Sequence, residues 1–195
     1  MNDKWISIIK PLADIGAKVL NGFALMTGIR AFQEPCFRPT GRGVRALPIS
    51  FYYRQFETHT CAFTAALTVL WFFKPEANSK RLYELIDCDP EQGASYLDIV
   101  TSLKACGIVV KRWTRLTFAG IAGAIDEGCP IIASVEATFG DHWVVIYGYG
   151  RKPDRVFVLG LGLLPFRNRP PVPWSMFKSG WHPMGNGLIC SVKQR

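Results

Sequence analysis

The chain has no Cys-x2-Cys pair and no histidines grouped at zinc-ligand spacing, although it holds six cysteines and three histidines. A structural zinc site is therefore not expected, nor is any other metal or cofactor. It lacks a phosphate-binding glycine loop, a dinucleotide fingerprint and a serine-centred elbow, which argues against nucleotide-binding enzymes and serine hydrolases. No secretory signal opens the chain, since Asp3 and Lys4 precede no clean apolar core with a cleavage site. Cys36, Cys61, Cys88, Cys106, Cys129 and Cys190 sit in apolar or helical contexts that read as reduced thiols. A cytoplasmic location is expected, with export by a route that leaves no such signal still open. Asp14, Lys18 and Arg30 break any apolar run of the about 20 residues that a membrane span needs. Acidic residues are few, 15 against 23 Lys and Arg, giving a net charge of +8. The basic residues fall in scattered groups without a nucleic-acid motif, so they read as a solvated surface, and no specific nucleic-acid partner is expected.

What is present divides into three parts. At 195 residues the chain is long enough for one domain with a proper core. In segment 1–33, Asp3, Ser7, Lys10, Asp14, Lys18 and Asn21 recur at three- and four-residue steps, a narrow polar stripe on an otherwise apolar helix. Such a helix needs cover: the main domain, a protein partner or a second copy comes first, and a membrane surface second. Segment 34–49, with Glu34-Pro35, Pro39-Thr40-Gly41 and Pro48, reads as a loop and linker. The domain proper is assigned to 50–195.

Within it, Ala62 to Phe73 is an apolar run too long and too rich in Ala and Leu for an ordinary strand, so a buried helix is expected. Thr58 or Thr60 is positioned to cap it. That places Cys61 in the first turn, where the positive helix end favours thiolate over thiol. Cys61 is the candidate nucleophile; the alternative is a small buried hydrophobe. Gln55, just upstream, can offer a side-chain amide to a developing oxyanion beside the Cys61 N–H. His142 is the candidate base. It opens the run His142-Trp143-Val144-Val145-Ile146-Tyr147, a strand expected to project it from the edge of a sheet. His59 is a nearer rival on an approach turn, expected to point away from the thiol.

Gln55-x5-Cys61 before an apolar helix, then Gly128-Cys129-Pro130-Ile131-Ile132 ahead of His142-Trp143-Val144-Val145, resembles the papain-like cysteine peptidases. The match is most similar to the bacteriocin-processing peptidases that cut after double-glycine leaders, and to their stand-alone relatives. The late Phe177-x3-Trp181 is similar to that family's closing segment. The resemblance implies a peptide or protein substrate, and an Asp at the end of the strand after the histidine strand to orient the imidazole. Here that stretch reads Val156-Phe157-Val158-Leu159-Gly160-Leu161, without a carboxylate. Three arrangements follow: a Cys–His dyad, a ring held by a backbone carbonyl, or a ring held by Asn168. A domain that is not an efficient enzyme is the fourth reading.

Further helices are expected from Ser79, from Ser95 with Leu97, Ile99, Val100 and Leu103 inward, and over Thr117–Glu127. Strands are expected at Ile108–Trp113, Pro130–Glu136, Arg155–Leu159 and Leu188–Val192. Helices early and strands late predict an α+β domain, its helices packed on a mostly antiparallel sheet. The functional expectation is a thiol hydrolase acting on a peptide or isopeptide bond. A deamidase or acyltransferase on the same site is a close variant, and a catalytically silent peptidase-like binding domain is the alternative.

Overall fold

A computed structural model describes residues 33–36, 38–53, 58–86, 88–89, 92–137, 140–160, 171–181 and 187–192. The amphipathic segment up to residue 32, Gln55, Asn168 and His182 lie outside the described residues.

Helix α1 (Cys61–Phe73) runs through the middle of the domain, and every residue from Cys61 to Leu70 is buried. Its low polarity on all sides follows from what surrounds it. It packs on β3 (Phe51–Tyr53), on β6 (Gly140–Gly150), and on helices α2 (Ser79–Leu85) and α3 (Tyr96–Ala105). The two threonines inside it stay satisfied without leaving the helix: Thr64 Oγ1 donates to the Thr60 carbonyl at 2.9 Å and Thr68 Oγ1 to the Thr64 carbonyl at 2.8 Å.

Seven strands form one sheet, every pairing antiparallel: β4 (Val109–Trp113), β9 (Gly187–Ser191), β5 (Ile131–Ala137), β6, β7 (Arg155–Leu159) and β8 (Val172–Pro173) in that order, with β2 (Val44–Ala46) added to β6. A separate two-stranded ribbon joins β1 (Gln33–Pro35) to β3. The α+β architecture with its antiparallel sheet is the one the sequence predicts. The stretch read as a linker does more than connect: β2 pairs with the second half of β6, and Leu47 and Ile49 enter the core. β6 lies between β5 and β7, but its β7 partners begin at Val145, so His142, near the start of the strand, is paired with Val135 of β5 on one side and stands at a local edge on the other among the described strands.

Local signals set most helix ends. Ser95 and Asp98 form a reciprocal capping box on α3, and Thr117 caps α4 (Phe118–Asp126) by accepting from the Gly120 N–H at 3.1 Å. Asn78, not Ser79, caps α2 through the Lys80 N–H. Leu97, expected on the inner side of α3, is instead 67% exposed; Ile99, Val100 and Leu103 make the inner face. On the far side of the sheet Phe177 of α5 (Trp174–Ser179) packs on Trp181, ring centroids 5.2 Å apart, and both rings are buried. Among the described residues no helix is long and apolar enough to cross a membrane.

Two glycines give opposite expectations. A Cβ on Gly148 would lie 2.7 Å from the Arg45 carbonyl oxygen and 2.9 Å from Ala46 Cβ, in the β2–β6 seam. Gly148→Ala must push β2 off, which costs about 2 kcal/mol and lowers Tm by roughly 5 °C. Gly123, inside α4, has nothing within 4 Å of its added Cβ. Gly123→Ala stabilises the helix by about 1 kcal/mol, and thermal melts of the two variants check both signs.

Candidate active site

The start of α1 departs from the expected cap. Thr60 occupies the N-cap position after a 3-10 turn over Thr58–Thr60, but its side chain makes no capping bond. The first-turn N–H groups are thereby left to other acceptors. Three backbone N–H groups, those of Trp143, Ala62 and Cys61 itself, act on the Cys61 sulfur. Cys61 is only 7% exposed, yet it stands apart from the apolar core that takes in Ala62 and Phe63. Its sulfur is covered but polar on one side.

Burial pushes the Cys61 thiol above its ordinary value, outweighing the N–H groups that pull it down. This reverses the expectation of a thiolate made by the helix end alone. The reason is that desolvation opposes the charged form more strongly than a few partial charges support it. At neutral pH the group is a thiol, poised to lose its proton as it reacts. Burial raises Cys106, Cys129 and Cys190 as well, so the direction of shift does not single out Cys61. The donors around its sulfur do.

The amide that faces the sulfur belongs to Trp143, the residue after His142, and α1 packs against the strand that carries both. The helix-end cysteine therefore lies against the stretch of strand that carries the histidine. His142 is half-buried, and its Nε2 is hydrogen-bonded to the Gly160 carbonyl just beyond β7. A carbonyl only accepts, so Nε2 carries the proton and Nδ1 is left to serve as base. Gly160 takes φ +99°, a backbone setting that disfavours any side chain. Of the arrangements the sequence left open, this is the backbone-carbonyl one. Sequence reasoning had no way to name Gly160, because the group that matters is a main-chain oxygen. His59 lies in the 3-10 turn ahead of Cys61, half-buried.

The loop before α3 closes one flank. Gly93, at φ +72°, passes close to the His59 carbonyl, and the Trp143 indole N–H donates to the Ala94 carbonyl at 3.2 Å. Beside this contact a pocket of about 180 Å³ opens on the sheet, walled by Trp143, Ile132 and Leu188 and roofed by Tyr96. Asp141, Ser134 and Arg112 supply its polar groups, and the Arg112 guanidinium lies over the Tyr96 ring, 4.8 Å from the centroid. Among the described residues no group of three His, Cys, Asp or Glu side chains is arranged to hold a metal ion.

A cysteine at the start of a buried central helix and a histidine on the facing antiparallel sheet define the papain-like cysteine peptidase fold. The model of the Peptidase_C39-like family matches residues 50–186, and the chain belongs to that family. Three solved structures share the fold at low identity. One is a double-glycine-motif protease from an AMS/PCAT transporter, in complex with the leader peptide: 18% identity, TM-score 0.55, 80% of this chain and 99% of that one. The second is a C39-like peptidase from Bacillus anthracis: 15% identity, TM-score 0.56, 78% of this chain and 99% of that one. The third is the peptidase domain of Streptococcus ComA, a bifunctional ABC transporter of a quorum-sensing pathway: 17% identity, TM-score 0.56, 76% and 98% covered. No curated protein matches the chain.

Proposed function

We propose that this chain is a cysteine peptidase that cleaves a peptide or isopeptide bond. Cys61 attacks the carbonyl while His142 Nδ1 takes the thiol proton, and the C–S bond forms as the carbonyl oxygen becomes an oxyanion. Because burial keeps the sulfur protonated, proton transfer accompanies attack and does not precede it. The Cys61 N–H and the Gln55 amide receive the oxyanion. His142 then gives its proton to the leaving amine as the C–N bond breaks. Water, deprotonated by the same ring, hydrolyses the thioester and frees the thiol. The observation that carries this reading is a cysteine at an uncapped helix start, favoured in its charged form by the backbone N–H of Trp143, which follows a histidine whose far nitrogen is held. A leader peptide occupies one structural neighbour, which supports a peptide as the substrate class.

A second reading, a silent binding domain, is favoured by one observation: the imidazole is held by a neutral carbonyl, which orients it but offers no full negative charge to an imidazolium. Incubation with a peptide library in H₂¹⁸O, read by mass spectrometry, separates the possibilities. A peptidase yields two fragments, with ¹⁸O in the new carboxyl group. Deamidation yields an intact peptide with Gln or Asn converted to acid, and acyl transfer yields a conjugate. Unchanged peptides that nonetheless bind would overturn the enzyme reading.

A further inference from the structure

Cross-strand register puts the side chains of Arg112, Leu188 and Ile132 in one row across β4, β9 and β5, with Ser134 and Trp143 one step along on the same face. They line a single pocket with Asp141 at its other end. Arg112 and Asp141 are three strands apart and four residues out of register, so roughly 19 Å of sheet separates them. Asp141 and Trp143 leave β6 on the face opposite the imidazole of His142, but the Trp143 N–H favours the charged form of the Cys61 sulfur, which puts the Trp143–Asp141 end of the trough nearer to that sulfur than the Arg112 end. Between the two, Trp143, Ile132 and Leu188 make an apolar floor. Arg112 has its guanidinium over the Tyr96 ring, and no carboxylate among the described residues pairs with it. The charge is oriented and its hydrogen-bonding edge is available to a ligand.

We propose that this trough is a charge-reading subsite in which Arg112 binds an acidic side chain of an extended peptide within about six residues of the cleaved bond. The proposal rests on the peptidase reading for its orientation. Asp141 adds the complementary rule: acid at its own end of the trough is disfavoured, and a basic or neutral residue is accepted there. An apolar side chain between the two positions covers Trp143 and Leu188.

The probes are fluorescein-labelled decapeptides of Gly, Ala and Leu with one Glu or one Lys walked through each position. Binding to the full chain carrying Cys61→Ala is read by fluorescence polarisation, so that no turnover is required. One position is expected to favour Glu over Lys roughly fivefold, the scale of one solvent-accessible charge pair. Arg112→Ala flattens that preference and Arg112→Glu reverses it toward Lys, with unchanged circular dichroism. Equal binding of Glu and Lys at every position, no binding of any probe, or a preference that survives Arg112→Glu would overturn the proposal. The same peptides offered to the wild-type chain separate the two claims. Charge-dependent binding without cleavage leaves the subsite standing and removes the peptidase reading; cleavage indifferent to charge does the reverse.

Discussion

Cys61→Ala is expected to lower kcat/KM for peptide cleavage by roughly 10⁴-fold or more, to the background of an enzyme without its nucleophile. Cys106, Cys129 and Cys190 are not placed to take over. Cys190, like Cys61, is buried, but it lies on β9, with β5 between it and β6, and Cys106 and Cys129 follow α3 and α4. Cys61→Ser is expected to fall almost as far. A hydroxyl in this covered position is much harder to deprotonate than the thiol, and the held nitrogen of the imidazole faces a neutral carbonyl. Neither change should cost much stability, because the sulfur is not a member of the apolar core. Thermal melts close to wild type, with cleavage gone, are the expected pair of results.

His142→Ala is expected to cost roughly 10³-fold, the upper part of the range for a positioned general base. The loss should be larger than for an enzyme with a preformed thiolate, since here the ring must take the proton during attack. Added imidazole should restore part of the rate, whereas a merely structural histidine would show no rescue. A smaller, related loss is expected for Gly160→Ala. At φ +99° a Cβ strains the turn and moves the carbonyl that holds Nε2, so kcat should fall while KM stays near its wild-type value. These variants distinguish a ring that does chemistry from a ring that fills space.

Much of this site was legible because its signals are local. An apolar run without alternation gave α1, Ser95 with Asp98 gave the start of α3, and Gly107 and Gly128, at φ +76° and +80°, gave helix ends. The order of Cys61 and His142 along the chain, with their flanking elements, gave the fold. What escaped depends on distant partners. Val44–Ala46 is a strand only because Gly148 leaves room for it against β6. The thiol's direction of shift depends on how deeply the sulfur is covered, which the helix-end argument leaves out. Leu97 has helical spacing but falls outside the packed face, and Gly160 contributes an oxygen that every residue possesses. Gln55 keeps its assigned role only within the proposal, as it lies outside the described residues, and the same holds for Asn168.

The central claim, a covered thiol activated by His142 during attack, is tested most directly by mapping peptide chloromethyl ketone adducts on all six cysteines by mass spectrometry as a function of pH. The account predicts an adduct on Cys61 whose rate is still climbing above pH 9, where the raised thiol ionises, and which drops sharply at neutral pH in His142→Ala. Modification spread evenly over the cysteines, or a Cys61 rate indifferent to His142→Ala, would contradict it.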